Sequence, residues 1–197
     1  MTRAYVFWHT PRPEVDRSVY ERVLAAFHAA LARHPSPGFT RSRSYRIEGA
    51  PWLEGGAGYE DWYEVEGTAA LDPLDAAAVG PELRPWHDAV ARLSATGAGG
   101  LYRRISEPAA GSRGPAWWLR KPAGTSYPEF LDRLRVSAPA GAGLWQRQLV
   151  LGPTPEFCIE APAAETGASS PAVLTGPPAE WGAVVLQRTP VFPEAGS

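Results

Sequence analysis

The residues best suited to chemistry are one short stretch and two histidines. Tyr59-Glu60-Asp61-Trp62-Tyr63-Glu64 interleaves three carboxylates with three aromatic rings. On an extended strand Tyr59, Asp61 and Tyr63 share one face, and Glu60, Trp62 and Glu64 the other. A carboxylate among phenols in a semi-apolar lumen is a candidate general base with a raised pKa. Asp61 is that base, and Tyr59 and Tyr63 are candidate substrate contacts. His28 lies four residues after Leu24 and three before Leu31, on an apolar helical stripe where an imidazole suits proton transfer near neutral pH. His9 ends an aromatic run and shares parity with Tyr5 and Phe7, a position that borders a pocket mouth. Arg43 shares parity with Arg41 and Tyr45, and Arg147 matches Arg43 further along the chain. Facing inward, such guanidiniums clamp an anion or enolate; facing outward, they are ordinary surface charges. Trp8, with Trp62, Trp117, Trp118 and Trp145, supplies flat apolar walls or simply core.

The elements that must position these groups follow from periodicity. Residues 4–9 are rich in β-formers and predict a strand ended by Pro11 and Pro13. Val19, Tyr20, Val23, Leu24, Phe27 and Leu31 recur at helical spacing, and Asp16 is a plausible N-cap, so a helix is predicted over 16–33. Strands are predicted over 39–48, 59–65 and 101–105. A helix in two pieces is predicted over 71–95, and the glycines at 97–100 read as a loop. The order is βαββαβ. A second copy follows residues 108–115, which read as a linker. It has strands at 116–121, 144–151, 156–159 and 183–189. Its helix starts at Ser126, in a capping box with Glu129. Its second helix reads as eroded into loop over 161–179.

Matches in the same order support duplication: Pro11 with Pro122, Tyr20 with Phe130, Arg43 with Arg147, and Arg104 with Arg188. The expected domains are a ferredoxin-like repeat over 1–107, the linker 108–115, and a second repeat over 116–197. A single irregular α+β domain is the alternative. Large apolar groups at both parities of the strands 4–9 and 59–65 imply that both sheet faces are buried. Two such sheets then pack their open faces into an intramolecular α+β barrel with a lumen.

Composition narrows the function classes. The 197 residues carry a net charge of −2, from 19 basic and 21 acidic side chains, without the basic excess of a nucleic-acid binder. One cysteine, Cys158, excludes an intrachain disulfide and a Cys-based metal site. That fits a reducing compartment, and a cytoplasmic location is expected. No asparagine and a single lysine, Lys121, exclude N-glycosylation and confine Schiff-base chemistry. No stretch reaches the roughly 20 apolar residues of a membrane span. The glycine runs match neither G-x-G-x-x-G nor a P-loop, and Ser112 lacks the flanking glycine of a nucleophile elbow.

Residues 6–9, Pro11 or Pro13, Tyr20 and His28-Ala-Ala-Leu31 fit an outline of strand, proline turn and helix bearing an aromatic and then a His. Leu119-Arg-Lys-Pro122 and Tyr127-Pro-Glu-Phe130 repeat it, with Ala138 where the His would stand. In this the chain resembles the EthD-like branch of the dimeric α+β barrel superfamily, over about a third of its length. That resemblance implies a tandem barrel and, at most, one site that keeps the His. Its relatives include cofactor-free monooxygenases, cyclases, isomerases and haem-handling enzymes. The function expected is a cofactor-independent enzyme on a small aromatic or polyketide-like molecule, acting by oxygenation, cyclisation or isomerisation. His28 or His9 would move protons and Arg43 would steady the anion. A non-catalytic binding protein is one alternative. A haem-handling protein with His87 or His28 as ligand is another. A monomer or a homodimer is compatible with the duplication.

Overall fold

A computed structural model describes residues 1–109, 115–149, 154–162 and 176–192. The first strand, β1 (Arg3–Pro11), is followed by helix α1 (Arg17–Arg33). Asp16 caps that helix, its Oδ1 accepting from the backbone N–H of Ser18 at 2.8 Å and of Val19 at 3.2 Å. Next come β2 (Phe39–Glu48), β3 (Ala57–Val65), α2 (Leu71–Ala78), α3 (Arg84–Leu93) and β4 (Ser94–Ser106). The remaining chain gives β5 (Ala116–Leu119), α4 (Tyr127–Ser137), β6 (Gly143–Leu149), β7 (Phe157–Glu160) and β8 (Val184–Phe192). The expected loop over 161–179 falls mostly on residues outside those described. So does most of the expected linker.

The eight strands close into an antiparallel barrel in the order β1-β3-β2-β8-β5-β7-β6-β4. Its first four strands run β4-β1-β3-β2 and its last four β8-β5-β7-β6, the same ferredoxin-like order twice. The pairs β2·β8 and β4·β6 close the ring between the two sets.

The glycines at 97–100 are strand, not loop. They belong to β4, opposite Trp8 to Val6 of β1 and its neighbours, with His9 facing Gly97 and Phe7 facing Gly99. A Cβ at Gly97 would run into the Phe7 ring, and one at Gly99 into the Tyr5 hydroxyl. The missing side chains let the β1 aromatics lie flat across β4. The sequence reading saw breakers where the sheet needs space for rings.

The barrel interior is not an open lumen. Trp8, Trp62, Trp118 and Trp145 fill it, fully buried, with Tyr45 and Tyr102. Among them lies a buried ionic network. Arg43 donates to both carboxylate oxygens of Glu160, at 2.9 and 3.1 Å, and to Glu64 at 2.9 Å. Arg188 donates to Glu160 at 2.9 Å and to Glu60. Indole N–H groups complete the two carboxylates: Trp8, Trp62 and Trp118 on Glu60, and Trp145 on Glu160. Burying a charge is costly unless it is paired and hydrogen-bonded, which explains why so many tryptophans gather here. Each guanidinium reaches across the barrel, Arg43 from β2 to β7 and Arg188 from β8 to β3.

Candidate active site

The outer face of the first four strands carries the polar site. Tyr59, Asp61 and Tyr63 of β3 point toward the helices, whereas Glu60, Trp62 and Glu64 point into the barrel. Between that face and α1, α2 and α3 lies a cavity of about 620 Å³. Tyr5, Phe7 and Tyr63 form its floor, and Phe27, Leu74 and Val90 part of its walls. His9 and Asp61 line its inner end, with Ser94 beside them.

Asp61 is 1% exposed and is the hub. Its Oδ2 receives Nε2 of His9 at 3.0 Å and the Tyr63 hydroxyl at 3.0 Å. Nε2 of His28 lies 3.4 Å from the same oxygen, an ion-pair distance. Its Oδ1 has no hydrogen-bond partner. Burial alone would push this carboxyl up, but the charges of His9 and His28 and their hydrogen bonds outweigh burial and hold it well below the usual carboxylate range. The raised value expected from the sequence is thereby reversed, because the pocket supplies two imidazoles as well as phenols. Burial, then the Asp61 charge, drives the Tyr63 phenol well above its ordinary value, so it stays a donor.

His9 bridges outward. Its Nδ1 is 2.6 Å from the Tyr20 hydroxyl, which is 2.9 Å from Oγ of Ser94. Ser94 donates to the Val90 carbonyl at 3.0 Å. The direction of the chain follows: Tyr20 donates to Ser94 and accepts from N–H at Nδ1 of His9. His28 is fully buried, its Nδ1 2.8 Å from Oγ of Ser42. Its ring stacks between Tyr63, at 5.4 Å, and Phe192 of β8, at 5.5 Å.

The structure thus brings His9, His28, Asp61 and Tyr63 together. Tyr59 stands next to them, its ring stacked 5.6 Å from that of His9, and its hydroxyl donates to Glu21 at 3.3 Å. Trp8 and Arg43 lie on the opposite side of the sheet, inside the barrel. Arg147 is also apart, donating to the Thr154 carbonyl at 2.5 Å. Sequence reasoning passed over Tyr20 as a relay group, and Ser94. Tyr20 was visible as a helical aromatic, but its contact with His9 joins two elements whose spacing no local pattern encodes. His87 lines the cavity at half-exposure beside Asp88, 3.3 Å away.

The second half presents a different face. There β7, which holds the place of β3 in its set, turns Phe157 and Ile159 into a cluster with α4, and Phe130 of α4 packs 5.0 Å from both Phe157 and Trp181. Among the described residues, aromatic rings pack over the outer face of this second set of strands.

No protein-family model matches the chain, and no curated protein matches it in sequence. Solved structures do match. A Lactobacillus acidophilus protein to which a monooxygenase role is ascribed aligns over 95% of this chain and 93% of its own, at TM-score 0.59 and 12% identity. A Fusobacterium nucleatum protein with the same ascription aligns over 80% and 73%, at TM-score 0.56 and 6% identity. SnoaB, a cofactor-independent oxygenase from Streptomyces nogalater, aligns over 53% of this chain and 94% of its own, at TM-score 0.40 and 23% identity. The fold is that of the ferredoxin-like dimeric α+β barrels, with both four-stranded sets in one chain. These structures do not single out the EthD-like branch.

Proposed function

We propose that the protein is a cofactor-independent enzyme that removes a proton from a small, flat, largely apolar molecule bound beneath α1, α2 and α3. The substrate class is aromatic or polyketide-like. Proton removal is the first step shared by oxygenation, cyclisation and isomerisation through an enolate. One observation carries the reading: a buried carboxylate that lines an apolar cavity has one oxygen without a hydrogen-bond partner and is backed by two imidazoles. A carboxylate held this low is a weak base by itself. The C–H proton passes to Oδ1 of Asp61, its electron pair stays on the substrate as the enolate, and the charges of His9 and His28 beside the site offset that anion. That role replaces the one expected for Arg43, which is committed to Glu160 and Glu64 inside the barrel.

A non-catalytic binding protein is the second reading. It is favoured by the engagement of both His9 nitrogens, one by Tyr20 and one by Asp61. The haem reading finds less support, since His28 is enclosed by Ser42, Asp61, Tyr63 and Phe192.

Exchange of the acidic methylene hydrogens of β-tetralone for deuterium, followed by NMR in D₂O, separates the first two readings. Accelerated exchange that Asp61→Asn abolishes supports the enzyme. Bound β-tetralone with exchange at the buffer rate supports the binding protein.

A further inference from the structure

We infer that the cavity beneath α1, α2 and α3 admits neutral or cationic ligands carrying an O–H or N–H donor, and rejects anionic ones. This rests on the reading that the cavity is the ligand site, but not on any chemistry there. Among the described residues that line it there is no arginine or lysine, whereas Asp61 and Asp75 both do so. The guanidiniums that could have served an anion are spent elsewhere: Arg43 and Arg188 are bound to carboxylates inside the barrel, across the sheet from the cavity. The imidazoles do not reverse this. His9 and His28 already face the Asp61 carboxylate, and His87 has Asp88 beside it.

The second observation is the free oxygen. Asp61 is almost wholly buried, lines the cavity, and leaves Oδ1 without a hydrogen-bond partner. An unmade bond at a buried charged acceptor is costly, so a ligand donor that reaches Oδ1 as the side chains around it shift gains more than a ligand that fills the same space without one. A ligand carboxylate near Oδ1 would instead set two like charges a few ångströms apart, away from water. The remaining contacts are apolar and flat: Tyr5, Phe7 and Phe27 fit an aromatic or fused-ring body. The inference turns the site away from aromatic acids. It also agrees with proton abstraction, where the anion forms in place and its proton remains on the cluster.

Three naphthalenes of one shape test it by isothermal titration at about pH 8. They are β-naphthol, (β-naphthyl)methylammonium and β-naphthoate. Expected is measurable binding of the first two, with β-naphthoate roughly a hundredfold weaker. In Asp61→Asn, β-naphthoate should come within a few-fold of β-naphthol. Should that variant misfold, Asp75→Asn, on the surface of α2, is expected to strengthen β-naphthoate alone, by a few-fold. Binding of β-naphthoate to the unaltered protein as tight as that of β-naphthol overturns the inference and leaves proton abstraction standing. Failure of all three to bind overturns it together with the cavity as the ligand site. Selective binding without β-tetralone exchange upholds it and removes only the enzyme reading.

Discussion

At the scale of single residues, two buried carboxylates do opposite work. Asp61 keeps an oxygen free and faces a cavity, while Glu160 has both oxygens engaged. Burial alone would raise the Glu160 carboxyl, but Arg43 and Arg188 more than offset it and hold it at about 2, against an ordinary 4.5. A depressed carboxylate stabilises the fold above its unfolded value and loses that contribution as pH falls through the folded one. The urea midpoint is therefore expected to drop between about pH 5 and pH 2. Glu160→Gln should flatten that acid limb and cost roughly 3–5 kcal/mol near neutral pH, because it leaves guanidiniums buried without their partner. Denaturant titrations across pH check both. Period-two parity correctly put Asp61 with Tyr59 and Tyr63, and Arg43 with Tyr45. It did not say which face was the cavity. Both faces of this sheet are buried and aromatic, so alternation alone leaves their roles interchangeable.

At the scale of elements, α1 was readable to the residue, since its apolar stripe and Asp16 cap are both local signals. The first part of β4 was not, because its role is to be a strand without side chains beneath the rings of Tyr5 and Phe7. Gly97→Ala is expected to tip the Phe7 ring into the cavity. The ring can move, so stability should fall by only about 1 kcal/mol, while β-naphthol binding weakens tenfold or more. Thermal melts beside titrations would show the split, and equal loss in both would contradict it. Gly58→Ala behaves differently. There the added Cβ meets the His9 backbone carbonyl and the Leu53 side chain. The backbone cannot step aside, so the expected loss is about 1–3 kcal/mol together with displacement of His9 from Asp61. Tyr20→Phe removes the His9 partner while retaining the ring. It should slow β-tetralone exchange more than it weakens binding, which NMR exchange and titration read separately.

For the whole molecule, the strand order repeated in the two sets was legible because each copy keeps its own periodicities and breakers. The ionic network between the halves was not, since Arg43 and Glu160 are 117 positions apart and no spacing rule links them. Arg43–Glu160 and Arg188–Glu60 run in opposite senses across the barrel. With β2·β8 and β4·β6 they couple the halves, so unfolding is expected to be a single transition. Tryptophan fluorescence, which reports the interior, and far-ultraviolet dichroism should give one coincident denaturation curve. Separately expressed segments 1–107 and 116–197 should each be poorly folded, with unpaired sheet edges, and should regain structure when mixed.

Among the described residues, Phe130, Phe157 and Trp181 pack over the second half's strands, while the first half holds the cavity. A barrel of two identical chains must duplicate every change, so a hollow on one side is a hollow on both. A single chain escapes that obligation. Saturation should arrive at one equivalent of ligand per polypeptide. The second half is then free to specialise as a buttress, and its Phe192 already serves as one plate of the sandwich around His28. Division of labour, with one side for recognition and the other for rigidity, is what covalent fusion makes available to this architecture.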